Sequence, residues 1–422
     1  MSEEKNKAIL VAVCLDSESY QAHESSINEL ERLADTAEFE VVGKFIQNRH
    51  KYEAATYAGK GFLENIRQVA EEKNAQFLIF DDELSPSQAK NISDTYELRV
   101  IDRTELILDI FSLHAKTREA RLQIRLSLLQ YQLPRLKKLW SHLDRVRGSS
   151  NKAAGAASRG MGEKQIEVDK RKIRIEIAQV KKELEKVMRQ TKTKRKKRES
   201  FKSICLVGYT NVGKSMLFRT ITNEAVLIKD QLFATLDSTS RKVDIAAGEP
   251  AILTDTVGFI ANLPHHLVAS FRATLKEVVE ADLLLHIADS SDEKLGEHIA
   301  NVEKVLSEIG TGEVERKLVL NKIDLLDDEA LDRLKKDYPH AVFISALKKI
   351  NIESMLDEIR TMVFDLEECK LFVPHTKQKV LHRIYDHSQI ISSQHTNEGT
   401  EIIANLDKER QNMFADFIIG KK

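Results

Sequence analysis

The sequence predicts a multidomain α/β protein, and three observations support that prediction. At 422 residues the chain is too long for one ordinary hydrophobic core. Short apolar runs alternate with amphipathic stretches near the N-terminus and again from about residue 201. Between these two regions lies a long, strongly basic segment with helical periodicity. We therefore expect two α/β domains separated by a helical element.

The first domain is predicted to span residues 1–114. Its strand candidates are apolar, β-branched runs at 7–14, 39–46 and 77–81, with amphipathic stretches between them. Two acidic residues precede the run at 7–14, and the sequence shows no small-residue cleavage site there. This run is therefore interpreted as a first strand and not as a secretory signal. No run of about 18 apolar residues occurs, so we expect no membrane span.

Residues 115–198 are predicted to form an antiparallel hairpin of two long helices. Apolar residues recur there at steps of three and four, namely Leu122, Leu126, Leu129, Leu133, Leu136, Trp140 and Leu143, and then Ile173, Ile177, Val180, Leu184 and Val187. Pro134 should kink or interrupt the first helix. The connection "GSSNKAAGAASRGMG" (148–162) is 15 residues long, and a loop of that length is usually functional or disordered.

The hairpin concentrates positive charge. From Ala115 to Arg198 there are 26 Lys or Arg and 8 Asp or Glu, a balance of +18, whereas the whole chain has a formal net charge of −1. The remainder therefore carries about −19. This segregation predicts a polyanionic partner for the hairpin. Three widely separated cysteines are expected to be buried thiols in a reducing cytoplasm.

Residues 200–366 are predicted to form the second α/β domain, a doubly wound and mostly parallel sheet. It contains "GYTNVGKS" (208–215), which follows the strand "SICLVG" and precedes a helix. This is the P-loop pattern, in which backbone N–H groups and Lys214 surround phosphates and the Ser215 hydroxyl binds Mg²⁺. Residues 371–422 are predicted to be a small α+β domain of a helix, two strands (389–393 and 400–405) and a last helix.

Three later motifs complete the predicted nucleotide site, and the last two predict that its base is guanine. "AILTD" (251–255) ends a strand with an acid near Mg²⁺, and Gly258 is placed to offer its N–H to a γ-phosphate. "NKID" (321–324) follows a buried strand, and its Asp324 can accept from the two adjacent N–H groups of guanine, which adenine lacks. "SAL" (345–347) can meet the guanine O6 through its backbone.

A mobile loop is expected between Ser215 and Asp255. "QLFATLDSTSRK" (231–242) contains Thr235 and Thr239, and either could bind Mg²⁺. Residue 259, where many GTPases place a water-orienting glutamine, is Phe259. Slow intrinsic hydrolysis is therefore expected. Asn211 has two interpretations, a ligand of a K⁺ ion beside the phosphates and a residue that merely tolerates a turn.

These residues resemble the HflX-type GTPases, a ribosome-associated family in the Obg-like group of P-loop proteins. The resemblance rests on "GYTNVGKS", "DQLFATLDSTSRK", "DTVGFIANLPHHLVASFRATL", "NKID" and "SAL", and on "RGMGEKQIEVDKRKIRIEI" (159–177) in the hairpin. It implies that Thr235 is the switch threonine and Mg²⁺ ligand. It also implies binding to the large ribosomal subunit, with the 148–162 loop reaching ribosomal RNA near the peptidyl-transferase centre, and the splitting or rescue of stalled ribosomes.

The expected ligands are GTP or GDP and Mg²⁺, with K⁺ as a further candidate. The hydrolysis site is expected to involve Lys214, Asn211 and Gly258, with Ser215 and Thr235 on the metal. Residues expected to contact the nucleotide are Gly208, Tyr209, Thr210, Asn211, Val212, Gly213, Lys214, Ser215, Phe233, Ala234, Thr235, Leu236, Asp237, Asp255, Thr256, Val257, Gly258, Asn321, Lys322, Ile323, Asp324, Ser345, Ala346 and Leu347.

Two other functions fit parts of this sequence. The hairpin could be a coiled-coil site for a protein or membrane partner of a guanine-nucleotide switch, but residues 164–198 hold 15 basic and 5 acidic side chains, which favours RNA. An ATPase or small-molecule kinase on the same P-loop is disfavoured by Asp324. A cytoplasmic monomer that binds the 50S subunit, with the 70S ribosome as a further candidate, is the expected form.

Overall fold

The structure is a computed structural model that describes residues 5–15, 20–148, 157–195, 201–223, 233, 238–246, 249–259, 276–364, 366–406 and 408–421. These residues fall into two compact units. The first holds the described residues up to 194 together with Phe233, and the second holds the others. No described helix is both long and apolar enough to cross a membrane.

The N-terminal part of the first unit is a parallel four-stranded sheet with helices. Its strands, in the order β2-β1-β3-β4, are β1 (Asn6–Leu15), β2 (Phe39–Arg49), β3 (Phe77–Phe80) and β4 (Arg99–Asp102). Its helices are α1 (Tyr20–Thr36), α2 (Lys60–Lys73), α3 (Pro86–Tyr96) and α4 (Arg103–His114). The three predicted strands are confirmed, and β4 is an addition. The strand β3 is equally short but wholly apolar, whereas β4 has a charged residue at each end and so shows no apolar run in the sequence.

Local sequence signals explain where two of these helices begin. Ser85 forms a capping box with Gln88, and Pro86 occupies the first turn, where its missing N–H costs nothing. Asp102 caps α4 by accepting the Glu105 N–H at 2.9 Å. The core lies between sheet and helices and includes Ile9, Val11, Leu63, Ile66, Leu78, Phe80 and Ile92, all essentially inaccessible to solvent.

The hairpin consists of α5 (Arg118–Gly148) and α6 (Ala157–Arg195). The predicted apolar stripes meet, because Leu126, Leu129 and Val180 form one cluster, against which pack Leu122, Ile173, Ile177 and Leu184. Arg125 pairs with Glu176 at 2.5 Å and Arg118 with Glu183 at 3.3 Å, and these pairings run in opposite chain directions. The antiparallel arrangement is therefore confirmed.

Two details of the hairpin differ from the sequence prediction. Pro134 lies inside α5, so the predicted interruption does not occur, and a kink at Pro134 stays a prediction. The helix α6 already begins at Ala157, so residues 157–162, assigned to the connecting loop, are helical, while 149–156 lie outside the described residues. Each helical glycine costs only about 1 kcal/mol relative to alanine, so a stretch with Ala, Arg and Met can stay helical despite Gly160 and Gly162.

A buried polar cluster joins the hairpin to the parallel sheet. The Tyr131 hydroxyl on α5 donates to Asp102 Oδ1 at 2.9 Å, and Arg135 Nη2 donates to Asp102 Oδ2 at 2.9 Å. The Arg135 guanidinium also stacks on the Tyr131 ring, 3.6 Å from its centroid. Burial and the Asp102 charge raise the pKa of Tyr131, so its hydroxyl remains a donor. This cluster fixes the root of the hairpin.

The central part of the second unit is a six-stranded sheet in the order β10-β9-β8-β5-β7-β6. Its strands are β5 (Lys202–Gly208), β6 (Thr239–Ala246), β7 (Glu249–Asp255), β8 (Leu283–Asp289), β9 (Glu315–Asn321) and β10 (Val342–Phe343), of which only β6 is antiparallel to its neighbour. Its helices are α7 (Lys214–Thr222), α8 (Lys276–Val279), α9 (Leu295–Ile309), α10 (Asp328–Asp337) and α11 (Ile352–Phe364). The predicted doubly wound, mostly parallel sheet is confirmed.

The C-terminal part of the second unit has the order strand-helix-strand-strand-helix-strand. It comprises β11 (Glu367–Pro374), α12 (Gln378–His387), β12 (Gln389–His395), β13 (Gly399–Leu406), α13 (Lys408–Met413) and β14 (Ile418–Lys421), with an antiparallel sheet β12-β13-β11-β14. The α+β class is confirmed, but the prediction of two strands is wrong, because four strands are described here, and β11 begins at Glu367, before the predicted start of this domain at 371. Alternate residues of β11 are buried, yet its Glu and Lys residues disguise that period in the sequence.

Candidate nucleotide site

The loop 208–215, called the P-loop below, joins β5 to α7 and needs both of its glycines. Gly208 has a φ of 147° and Gly213 a φ of 94°, values that L side chains rarely adopt. A Cβ on Gly208 would lie 2.1 Å from the Ile287 carbonyl oxygen, and one on Gly213 would lie 2.3 Å from Asn321 Nδ2. The loop therefore sits against two neighbouring strands, and α7 begins directly at Lys214.

Lys214 is held by the loop it closes. Its Nζ donates to the carbonyl oxygens of Gly208 at 3.0 Å and Tyr209 at 2.6 Å. Burial lowers the pKa of Lys214 to about 8, and the Asp255 charge opposes that shift. A buried ammonium with two carbonyl partners is ready to receive an anion, which would restore its ordinary pKa.

The two residues expected near Mg²⁺ meet directly. Ser215 Oγ donates to Asp255 Oδ2 at 2.7 Å, which brings the start of α7 to the end of β7. Hydroxyl and carboxylate oxygens are the hard ligands that Mg²⁺ prefers, so this pair fits the ion. The neighbouring Thr256 is buried and donates through its hydroxyl to the Leu206 carbonyl oxygen at 2.6 Å, whereas Val257 is half-buried.

The segment that follows Asp255 is tied to the P-loop through its backbone. The Thr210 N–H donates to the Phe259 carbonyl oxygen at 2.8 Å, and the Phe259 N–H donates to that of Gly208 at 3.0 Å. Phe259 is only 4% exposed. A Cβ on Gly258 would lie 2.7 Å from Thr210 Cγ2 and 3.1 Å from Lys214 Nζ. Position 258 therefore has room for glycine alone beside the Lys214 ammonium.

The base-site residues are joined to each other and to the P-loop. Asn321 Nδ2 donates to the Val212 carbonyl oxygen at 2.8 Å, and Asn321 Oδ1 accepts the Ala346 N–H at 2.9 Å. Asp324 Oδ1 accepts the Ser345 hydroxyl at 2.6 Å. In this arrangement the Asn321 amide connects three loops, and the Asp324 carboxylate is oriented by a neighbour.

Two further residues of the predicted base site differ in exposure. Ile323 is buried, and its N–H donates to the Ile344 carbonyl oxygen at 3.2 Å. Leu347 is 66% exposed. The structure thus brings together the residues predicted from 208–215, 255–258, 321–324 and 345–347 at the carboxyl edge of one sheet.

The loop 231–242 is described only in part. Ala234, Thr235, Leu236 and Asp237 lie outside the described residues, and Thr239 begins β6, opposite Asp255. Phe233 is buried in the first unit, where its ring meets that of Phe111 on α4 edge to face, with centroids 4.7 Å apart. Asn211 has a φ of 61°, a left-handed conformation that asparagine tolerates.

Sequence reasoning missed two residues beside the site. His298 of α9 stacks on the Tyr209 ring with centroids 4.2 Å apart and planes inclined by 13°, and its Nδ1 lies 3.1 Å from Asp292 Oδ2. Asp289 ends β8 and pairs with Lys322 at 2.6 Å. The signal for Asp289 is visible in "LLLHIAD" (283–289), a buried strand ending in an acid, the same pattern that identified Asp255.

A doubly wound sheet with this P-loop, an adjacent serine–aspartate pair and an Asn-Lys-x-Asp base site defines a P-loop GTPase. Three family models match the chain: "GTP-binding GTPase N-terminal" at 24–112, "GTP-binding GTPase Middle Region" at 114–198 and "50S ribosome-binding GTPase" at 203–322. The chain belongs to the HflX family of GTPases, binds GTP and GDP, and hydrolyses GTP.

Relatives carrying the name GTPase HflX match most of the chain. That of Caldanaerobacter subterraneus subsp. tengcongensis is 38% identical over 421 residues, covering 100% of this chain and 95% of the relative. That of Escherichia coli is 38% identical over 322 residues, covering 76% and 75%. A crystal structure of a GTP-binding protein from Sulfolobus solfataricus in complex with GDP is 26% identical, with a TM-score of 0.44, and covers 85% of this chain and 99% of that one.

Proposed function

We propose that this GTPase acts on the large ribosomal subunit and that the hairpin is its RNA-binding element. The observation that carries the proposal is the surface of α6, where the cations Arg171, Arg174, Lys181, Lys182 and Lys186 are exposed. Four acids of the hairpin, Asp169, Glu176, Glu183 and Glu185, already pair with hairpin cations. The excess positive charge therefore faces solvent and fits a phosphate backbone.

The proposal extends to the target and the outcome. The connection between the two hairpin helices, within 148–162, would reach ribosomal RNA near the peptidyl-transferase centre, and the protein would split or rescue stalled 70S ribosomes in the cytoplasm as a monomer. The family model matching 203–322 is itself described as a 50S ribosome-binding GTPase, which supports this choice of partner. The four-domain division 1–114, 115–198, 200–366 and 371–422 is proposed with it.

We propose that the triphosphate lies on the P-loop with Lys214 on the β- and γ-phosphates. Mg²⁺ would be held by Ser215 and Thr235, near Asp255, and would neutralise phosphate charge when bound. Gly258 would offer its N–H to the γ-phosphate, since it approaches the Lys214 ammonium more closely than a larger residue could. For Asn211 we propose a K⁺ site, tested by comparing hydrolysis in KCl and NaCl at equal ionic strength.

Intrinsic hydrolysis is proposed to be slow because the chain supplies no side chain at 259 to orient water. The Phe259 ring is buried and its backbone is bonded to the P-loop. Supplying missing transition-state groups to a GTPase raises the rate by about 10³–10⁵. The ribosome would provide this stimulation by ordering the loops at 230–242 and 255–270.

Sedimentation tests the proposal. The protein is centrifuged with 50S subunits or 70S ribosomes, in a nonhydrolysable GTP analogue or GDP, at two salt concentrations. We expect co-sedimentation with 50S subunits in the analogue, steep loss at the higher salt, and faster GTP turnover when 50S subunits are present. Equal turnover with and without subunits, or binding indifferent to salt, would overturn it. A protein or membrane partner would then be the better candidate.

A further inference from the structure

The residue Asp289 stands next to the base site but belongs to none of its motifs. It is the last residue of β8 and lies in register with Asn321, the last residue of β9. The adjoining Ser290 donates twice to the Asn321 carbonyl oxygen, from its N–H at 2.9 Å and from its hydroxyl at 2.7 Å. The turn after β8 therefore supports the backbone of the Asn-Lys-x-Asp loop.

The Asp289 carboxylate is itself rigidly oriented. Its Oδ1 accepts the Ser291 N–H at 3.0 Å and the Ser291 hydroxyl at 2.7 Å. This leaves Oδ2 directed at Lys322, whose Nζ lies 2.6 Å away. The two side chains are only 16% and 28% exposed, so solvent screens this pair less than a pair on the open surface.

Lys322 needs such an anchor because its side chain is long and its backbone is unusual. It has a φ of 67°, in the left-handed region, between Asn321 and Ile323. A lysine with a free ammonium samples many rotamers, and ordering them on ligand binding lowers affinity. With Nζ fixed at Asp289, the four-carbon stem is held as an apolar surface before any ligand arrives.

We propose that Asp289 is a positioning residue for guanine nucleotides: it holds the Lys322 ammonium so that the lysine stem covers one face of the purine. This inference rests on the proposed base site and names a residue that acts on it from β8. Because GDP and GTP carry the same base, a lysine stem held by Asp289 against the ring face contributes affinity for both equally. The stem does not touch the polar edge of the base, so discrimination against adenine stays with Asp324.

A purely structural role for Asp289, as the acceptor for the Ser291 turn, predicts a different outcome. The substitution Asp289→Asn keeps an oxygen for the Ser291 N–H and hydroxyl but removes the charge that holds Lys322. If Asp289 serves only the turn, Asp289→Asn is silent for nucleotide binding. A matched control exists at the other end of β8, where Asp282 pairs with Lys202 at 3.1 Å and accepts the Ser203 N–H at 2.8 Å.

The test measures dissociation constants of the full-length chain for fluorescent GDP, a fluorescent nonhydrolysable GTP analogue and fluorescent ADP. We expect Asp289→Asn to weaken GDP and GTP-analogue binding by about the same factor, roughly five- to twentyfold, with kcat at saturating GTP unchanged. Asp282→Asn should bind like the wild type. Thermal melting of each apo variant checks that the fold is retained.

The double variant Asp289→Asn with Lys322→Met identifies the route of the effect. If Asp289 acts through Lys322, the double variant binds no more weakly than Lys322→Met alone. Multiplication of the two single losses would overturn the proposal, as would an Asp289→Asn dissociation constant within twofold of the wild type. If the wild type itself fails to prefer GDP to ADP, the proposed base site is wrong, and that result is distinct from the failure of Asp289 alone.

Discussion

Thr210 and Phe259 are joined backbone to backbone, with the Thr210 N–H donating to the Phe259 carbonyl oxygen at 2.8 Å. The Phe259 N–H in turn bonds the Gly208 carbonyl oxygen at 3.0 Å, so residue 259 continues the edge of the P-loop. Its ring is buried and contributes to packing. The place where other GTPases keep a water-orienting glutamine is therefore used here for structure.

This relationship predicts that Phe259→Gln does not create a faster enzyme. The new amide would be buried at the position of a ring, with its backbone still bonded to the P-loop. We expect basal kcat to rise by no more than about twofold and the free energy of unfolding to fall by about 2–4 kcal/mol. Single-turnover hydrolysis and urea denaturation measure the two effects. A tenfold gain in basal rate would show that the side chain can reach the attacking water.

Gly258→Ala should separate hydrolysis from diphosphate binding. The added Cβ would lie 2.7 Å from Thr210 Cγ2 and 3.1 Å from Lys214 Nζ, where the γ-phosphate is expected. We expect hydrolysis to fall by about 10- to 100-fold, with the GDP dissociation constant changed less than about threefold. Gly296→Ala, whose Cβ would meet its nearest atom at 3.6 Å, is the matched control. A GDP dissociation constant that rises by as large a factor as hydrolysis falls would contradict this prediction.

Nucleotide affinity should fall as the pH rises above about 8, the lowered pKa of the buried Lys214 ammonium. Below that pH the lysine is charged and ready for phosphate, whereas above it binding must take up a proton. The slope of log Kd for GDP should approach one per pH unit between about pH 8 and 9. Titration at constant ionic strength measures it. Lys214→Met should bind weakly at all of these pH values, and a flat wild-type curve would refute the assignment.

The same shift has a consequence for stability in the absence of nucleotide. The folded-state pKa of Lys214 lies below its ordinary value of 10.5, so the neutral form is favoured by folding. Its contribution to stability is present above pH 10.5 and is lost as the pH falls through about 8. Nucleotide binding should reverse this trend, because phosphate favours the ammonium.

Asp324→Asn should change which base is bound. The Asp324 carboxylate is oriented by the Ser345 hydroxyl at 2.6 Å, a contact that asparagine can keep. An amide offers a donor where guanine presents its 2-amino donor, so GDP binding should weaken by about 10²-fold or more. Xanthosine diphosphate, with an oxygen at that position, should bind the variant better than GDP does. Competition assays measure both, and unchanged GDP affinity would contradict the proposed base site.

The root of the hairpin should depend on Tyr131. Tyr131→Phe removes the hydroxyl that donates to Asp102 at 2.9 Å and leaves that buried carboxylate with one donor fewer. We expect the free energy of unfolding to fall by about 1–3 kcal/mol in urea denaturation followed by circular dichroism. Tyr96→Phe, which removes a weaker bond of 3.3 Å to the Lys60 carbonyl, should cost less. Equal costs would show that the carboxylate adds nothing.

Hydrophobic periodicity and local motifs were sufficient to predict the hairpin and the loops that form the nucleotide site. The apolar stripes that meet at Leu126, Leu129 and Val180 predicted the hairpin, and the motifs around Lys214, Asp255 and Asn321 predicted which loops come together. These signals are local in sequence, because a helix face or a strand-loop-helix turn is built from neighbouring residues.

Contacts between residues distant in sequence determine the features that the sequence did not reveal. The strands β4 and β14 are short, contain charged residues and are stabilised by partners distant in sequence, so no apolar run reveals them as it reveals the equally short β3. The burial of Phe259 depends on the P-loop some 50 residues earlier, and the role of Asp289 depends on Lys322 in the next strand's loop. The sequence alone determined which groups could bind a guanine nucleotide. Only the tertiary structure decided which side chains orient those groups, because register between strands sets their distances.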